Sequence, residues 1–215
     1  MERNSSFTAN GTQFRLRGSA NQKVLIFVHG LGLSGEMWQW LPQELEKEFA
    51  IVTYDLFGHG ESPLPKKTPS LRMFSFQIKE LMEYCNFDQI ILAGFSLGGM
   101  IVRRFAQDFP ELVEGLIIIN SPHTRSKEQQ ESIESRVSLA QTSGPMATVS
   151  AAIKRWFSEK FENENPAIID KIKQWVINND PSIYPKIYKI LAYDLEEIIK
   201  PQPPINCPTL VITAD

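Results

Sequence analysis

Gly94-Phe95-Ser96-Leu97-Gly98 sets a serine between two glycines, directly after the apolar run Ile90-Ile91-Leu92-Ala93 and directly before the helix-like Met100-Ile101-Val102-Arg103-Arg104-Phe105-Ala106. A serine at the apex of a tight strand-to-helix turn is an accessible nucleophile in strained backbone, and the glycines stand where side chains would strike the neighbouring strand and helix. The chemistry this predicts is acyl transfer through a covalent intermediate on Ser96. A serine hydroxyl is a poor nucleophile alone, and it ordinarily needs a histidine base oriented by a carboxylate. The chain has three histidines, at positions 29, 59 and 123.

His29-Gly30-Leu31-Gly32 follows the apolar run ending at Val28, where a second donor for an oxyanion would be expected. Cleavage of an ester places negative charge on the former carbonyl oxygen, and fixed backbone N–H groups aimed at that oxygen lower the barrier by several kcal/mol. The amides of Leu97, just after the nucleophile, and Leu31 are the two expected donors. His29 precedes the turn and reads as a residue that orients the loop. His59 lies in Asp55-Leu56-Phe57-Gly58-His59-Gly60-Glu61-Ser62, whose glycines, acid and serine suit a loop tied by local hydrogen bonds. His123 follows the strand-like Leu116 to Ile119 and is the one histidine downstream of Ser96, at the root of a different segment rather than after a final strand.

The same stretch carries a competing pattern. Gly30-Leu31-Gly32-Leu33-Ser34-Gly35 fits the glycine fingerprint of dinucleotide-binding folds, and Asp55 lies where a ribose-binding acid would sit. Against that oxidoreductase reading, Glu36, Met37, Trp38 and Trp40 crowd the start of the following helix, where an acid would face a pyrophosphate and bulky rings would oppose close packing.

The elements that must position these residues are legible as alternation. Val24 to Val28, Ile51 to Tyr54, Ile90 to Ala93 and Leu116 to Ile119 are continuous apolar runs, the pattern of parallel strands covered on both faces. Helix-like stretches at about 36–48, 71–85 and 97–109 separate them, which predicts an open α/β sheet, mostly parallel and flanked by helices. Runs at 6–9 and 13–17, turning at Asn10-Gly11, predict a hairpin at one edge. From 121 to 207 the signals are helical only, and Pro208 to Ile212 resumes a strand. The expected organisation is a first core portion over 1–120, an inserted all-helical cap over 121–207 and a resuming strand over 208–215. Helix starts are expected at Ser126 with Gln129 in capping-box spacing, at Asn165-Pro166 and at Asp180-Pro181.

With 215 residues and 42% hydrophobic content the chain can bury one full core. The net charge of -3, with its charges interspersed, offers no footprint for nucleic acid or an anionic membrane. The first residues lack the apolar stretch of a signal peptide, so a cytoplasmic location is the expectation. Cys85 and Cys207 read as buried thiols. Gly30, Leu31, Trp38, Phe95, Trp156 and Phe157 are the expected lining of a substrate pocket, although aromatic residues at helical spacing can equally be core.

Taken together, His29 to Gly32, Asp55 to Ser62, Gly94 to Gly99 and the strand from Pro208 resemble the α/β-hydrolase superfamily, in the right order and over nearly the whole chain. Glu131 to Thr142, Arg155-Trp156-Phe157 and the segment at Tyr193 resemble the cap of 3-oxoadipate enol-lactonase-like hydrolases. The resemblance implies a hydrolase of small carboxylic esters or lactones, with Ser96 as nucleophile, Leu31 and Leu97 as oxyanion hole, and neither metal nor organic cofactor. In that family the acid follows the strand equivalent to 209–213, and the histidine follows one further strand. Asp215 falls about two residues before the acid's place and is the candidate for it. The family's other acid position holds Asn120, which cannot ionise. A last strand, last helix and base lie outside these 215 residues, so the resemblance implies the front portion of a longer hydrolase, impaired as it stands. The alternative of another class is a ligand-binding relative that keeps the pocket without turnover. Ester hydrolysis, perhydrolysis and carbon–carbon cleavage share this serine turn, so the motif does not choose among them.

Overall fold

A computed structural model of the chain describes residues 5–19, 21–201 and 204–214. Strands β1 (Ser6–Phe7), β2 (Gln13–Arg17), β3 (Lys23–Val28), β4 (Phe49–Tyr54), β5 (Ile90–Phe95), β6 (Val113–Ile119) and β7 (Thr209–Ile212) form one sheet in the order β1-β2-β4-β3-β5-β6-β7. The β1–β2 hairpin and the β2–β4 pair are antiparallel, and every pair from β4 through β3, β5 and β6 to β7 is parallel. The fold is a mostly parallel α/β sheet, as the continuous apolar runs predict.

The pleat turns alternate residues to opposite faces. Val24, Ile26 and Val28 join the larger core, under helices α1 (Leu71–Cys85) and α2 (Leu97–Asp108), while Leu25 and Phe27 join a smaller one with Trp38, Ile51 and Ala93. Ser70 caps α1 by accepting from the Met73 amide, and Asn86 ends the helix in the left-handed conformation.

The helix expected over about 36–48 is instead two short 3-10 helices, Gly35–Trp40 and Gln43–Lys47. Pro42 explains the break, since it offers no amide hydrogen and drives Leu41 into extended backbone (φ −60°, ψ 139°). Cys85 and Cys207 are free thiols and only half-buried.

Between β6 and β7 lie helices α3 (Lys127–Trp156), α4 (Glu159–Glu164), α5 (Pro166–Ile177), α6 (Tyr184–Tyr193) and α7 (Glu196–Ile199). The Ser126–Gln129 capping box opens α3 in both directions. Gly144 (φ 74°) and Pro145 break α3 midway, so it acts as two helices meeting at a kink. The Asp180-Pro181 start is displaced. Asp180 accepts from the Ser182 amide and hydroxyl and forms a turn, and α6 begins only at Tyr184. Among the described residues no helix is long and apolar enough to cross a membrane.

Strand register brings the chemistry-bearing turns together. Val28 pairs with Gly94 and Phe95 with Ile119, so the turns after β3, β5 and β6 emerge side by side at the carboxyl end of the sheet. Ser96 sits between β5 and α2 at φ 53°, ψ −112°, and its amide donates to Ile119 O at 2.9 Å. A methyl at Gly94 would overlap the Gly98 carbonyl, and one at Gly98 would overlap the Val28 carbonyl and lie 2.7 Å from His29 O. Gly98→Ala is therefore expected to cost about 1–3 kcal/mol or more in urea unfolding. Gly115→Ala, on β6, is the control. Its methyl would meet Pro208 O at 3.4 Å, an ordinary contact, and stability should stay within about 1 kcal/mol of the parent.

Candidate active site

The turn after β3 is built around Gly32. Leu33 N donates to Gly30 O at 3.2 Å, closing a turn whose third residue, Gly32, has the positive φ of 76° that a type II turn requires. Gly30 lies against Ser96, for a methyl there would stand 3.4 Å from Ser96 Cβ. The Gly32 amide donates to His59 Nε2 at 3.0 Å, and the Leu56 amide donates to His29 Nε2 at 2.9 Å. With both Nε2 atoms accepting, both protons sit on Nδ1. His29 donates to Gly30 O at 2.8 Å, and the His59 Nδ1 faces Phe57 O at 3.4 Å. The two rings stand edge to face, 5.1 Å apart. Each is a buried loop clamp with its nitrogens already engaged.

Asp55 completes this frame. Its carboxylate accepts from the Gly35 amide at 2.7 Å and the Glu61 amide at 2.8 Å, and the Ser62 hydroxyl donates to its carbonyl at 2.7 Å. Burial raises its pKa, and the two amide hydrogen bonds and Arg15 work against that rise. A carboxylate committed to Gly35 and Glu61 is unavailable to hold a ribose. The glycine-rich stretch that resembles a dinucleotide fingerprint is therefore occupied by the protein's own loop contacts.

The Leu97 amide is the first of α2 and has no intrahelical acceptor, and the Leu31 amide makes no backbone hydrogen bond among the described residues. Free N–H groups on a turn and at a helix N-terminus can stabilise developing negative charge. Beside them is a cavity of about 130 Å³ lined by Gly30, Leu31, Phe95 and Ser96 from the sheet side and by Arg136, Arg155, Trp156, Tyr184 and Tyr188 from the helices. The structure thus brings Gly30, Leu31, Phe95, Ser96 and Trp156 to one place. Trp38 and Phe157 are not there. Trp38 is buried against Phe27 at 4.8 Å in the smaller core, and Phe157 stacks on Phe161 at 5.1 Å, because the 3-10 helix and the end of α3 turn these rings elsewhere. Asp215 lies outside the described residues. Asn120 (φ 44°) accepts from the Ala214 amide at 2.7 Å, and His123 is exposed and does not line the cavity.

In the sequence Arg155 stands out only within the stretch that resembles a cap, and Arg136, Tyr184 and Tyr188 do not stand out. Their signal is faint: Ile133 with Arg136, Ala152 with Arg155, and Tyr184 with Tyr188 share helix faces at three- or four-residue spacing. Neither Arg136 nor Arg155 has an ion-pair partner among the described residues. Each guanidinium donates to the carbonyl four residues back, Ser132 O and Ala151 O. Burial lowers the Arg155 pKa, and the neighbouring Arg136 lowers it further. Two mutually repelling cations lining one cavity make that cavity attractive to an anion.

Residues 23–143 match the family model described as the alpha/beta hydrolase fold. The chain is 26% identical over 196 residues to 3-oxoadipate enol-lactonase 2 of Acinetobacter baylyi, covering 91% of this chain and 72% of that protein. It is 26% identical over 189 residues to the (E)-2-((N-methylformamido)methylene)succinate hydrolase of the same organism, covering 88% and 70%. The enol-lactonase from Burkholderia xenovorans LB400 superposes with a TM-score of 0.85 at 24% identity, covering 98% of this chain and 80% of that one.

The buried histidines generate a prediction about acid stability. Burial lowers the His29 pKa from 6.5 to about 4, and burial followed by the charge of His29 lowers that of His59. The unfolded chain takes up protons near 6.5 and the folded chain does not, so stability is complete above that pH and declines as pH falls from 6.5 towards 4. His29 contributes on the order of 3 kcal/mol to that decline. Urea midpoints should drop between pH 7 and 4.5, with the His29 ring neutral by NMR in the folded protein down to about pH 5.

Proposed function

The chain belongs to the α/β-hydrolase fold family, and we propose that it is a serine hydrolase of small esters or lactones whose acyl part carries a carboxylate. The observation that carries this reading is Ser96 in its positive-φ turn at the wall of a cavity that Gly30, Leu31, Arg136 and Arg155 also line. In this mechanism Ser96 Oγ attacks the acyl carbonyl carbon, the carbonyl electron pair moves to oxygen, and the seryl proton passes through solvent to the departing oxygen. The Leu31 and Leu97 amides meet that oxyanion at the positive end of α2. Collapse expels the alcohol, or opens the ring of a lactone, and leaves the acyl group on Ser96. Water then adds to the acyl carbon, and the acid departs as the seryl oxygen regains a proton.

The helices between β6 and β7 act in this reading as a cap that sizes the pocket. A cavity of about 130 Å³ suits a substrate of few carbons. The unpaired Arg136 and Arg155 suit a carboxylate on it, since charge-assisted hydrogen bonds to guanidinium are the stronger kind. The names of two relatives, an enol-lactonase and a succinate-derivative hydrolase, support the same substrate chemistry.

Ser96 has no imidazole beside it among the described residues, since His29 and His59 are engaged with backbone and His123 is elsewhere. Turnover by this chain is accordingly expected to be slow, with what remains of it passing through an acyl group on Ser96. That same observation favours, as a second reading, a binder of small carboxylates that performs no chemistry.

Ser96→Ala separates the two. Hydrolysis of 4-nitrophenyl acetate should fall to the background rate in the variant if the chain is an enzyme. Equal rates in parent and variant, with succinate binding intact in both, would establish the binder instead. A second comparison tests the arginines. Arg136→Ala and Arg155→Ala should each raise KM for the hydrogen succinate ester of 4-nitrophenol by about tenfold and leave KM for the acetate within about twofold.

A further inference from the structure

Asn179, just beyond the end of α5, joins the helical segment to the turn that carries Leu31. Its side-chain Nδ2 donates to Gly32 O at 3.0 Å, to Trp175 O at 2.7 Å and to Val176 O at 3.0 Å, and the residue is 6% exposed. Three carbonyl oxygens around one end of the amide fix which end is nitrogen, because a flipped amide would set its oxygen against all three. The opposite atom, Oδ1, is buried and has no partner. A buried acceptor without a donor is unfavourable, and an apolar residue of similar shape would avoid it. Among the described residues, the one hydrogen bond of this side chain that leaves α5 goes to Gly32 O.

The position of that contact gives it a consequence. The Gly32 amide is held by His59 and the Gly32 carbonyl by Asn179, so the peptides on both sides of Gly32 are pinned from opposite directions. With Leu33 N closing the turn onto Gly30 O, the orientation of the adjoining Leu31 amide is left little freedom. The helical segment also packs directly on this glycine, where a methyl would meet Tyr184 Cε2 at 3.2 Å and Val176 Cγ2 at 3.5 Å. We infer that Asn179 is a positioning residue for the oxyanion hole, setting the Leu31 amide through Gly32 and so coupling the seating of the helical segment to transition-state stabilisation at Ser96. The inference rests on the serine-hydrolase reading.

A helix-capping role and a positioning role part at Asn179→Ser. A serine hydroxyl can still donate to the carbonyls three and four residues back on α5, and it is too short to reach Gly32. Asn179→Leu, nearly isosteric and without a donor, is the second variant. Hydrolysis of 4-nitrophenyl acetate is measured for the parent, Ser96→Ala and both variants, together with Tm and hydrogen exchange at the Gly32 amide. Loss of a whole oxyanion donor costs about 10²–10³ in kcat, so its misplacement should cost about tenfold. Positioning predicts that loss in kcat for Asn179→Ser with KM within about twofold, Tm within about 3 °C of the parent and faster exchange at Gly32. A kcat within about twofold of the parent in both folded variants overturns the inference and leaves the hydrolase reading standing. A parent no faster than Ser96→Ala overturns the hydrolase reading, and this inference with it.

Discussion

Backbone meets backbone with no room for a side chain where β5, β3 and α2 come together. Position 94 has no room for a methyl beside the Gly98 carbonyl, and position 98 has none beside the Val28 carbonyl. Backbone packed against backbone at that distance leaves Ser96 no path from strand to helix except through φ 53°, a conformation a serine adopts only when its surroundings impose it. The strain is offset by the hydrogen bond from the Ser96 amide to Ile119 O and by the buried length of α2, from Leu97 to Ala106. One steric constraint thus holds the hydroxyl at the cavity wall and leaves the Leu97 amide at a helix start without an acceptor.

The turn after β3 has no comparable crowding and is held instead by polar clamps. His29, His59 and Asp55 are all buried, and each accepts from a backbone amide of a neighbouring loop: Leu56, Gly32 and Gly35 respectively. Burying these groups is costly unless each is hydrogen-bonded, so their contacts are nearly obligatory. That obligation makes the histidines loop clamps, as their places beside glycines in the sequence suggest.

The helical segment is fastened to the sheet by similar means. Glu36, directly after the turn, accepts from Trp175 Nε1 at 3.3 Å and pairs with Lys171 Nζ at 3.3 Å, both on α5, while Arg15 approaches it from β2 at 3.7 Å. Arg125 donates to the Leu191 and Ala192 carbonyls near the end of α6, and the buried Arg103 ties α2 to Ser121 and Pro122 where the chain leaves the sheet. These side chains are spent on structure. Arg136 and Arg155 have no ion-pair partner among the described residues, bond only to carbonyls of their own helix, and line the cavity.

What the sequence determined by itself is what depends on neighbours along the chain. Continuous apolar runs imply strands covered on both faces, glycines on either side of Ser96 imply a crowded turn, and Ser126 with Gln129 implies a capped helix. The Gly94–Gly98 clash and the Ser126 cap follow from sterics or hydrogen bonds within a few residues, and the strands from the composition of their own runs. Local signals also misled where a local competitor won, as with Pro42 inside the stretch read as one helix and Asp180, whose carboxylate closed a turn on Ser182. The tertiary structure alone decided which groups remain free. Strand register set Gly30 against Ser96, and long-range hydrogen bonds engaged His29 and His59. The kink at Gly144 separates the two halves of α3 that bring Arg136 and Arg155 to the same cavity. No periodicity records such pairings, because a side chain's partners across the fold depend on how whole helices and strands pack rather than on the residues beside it.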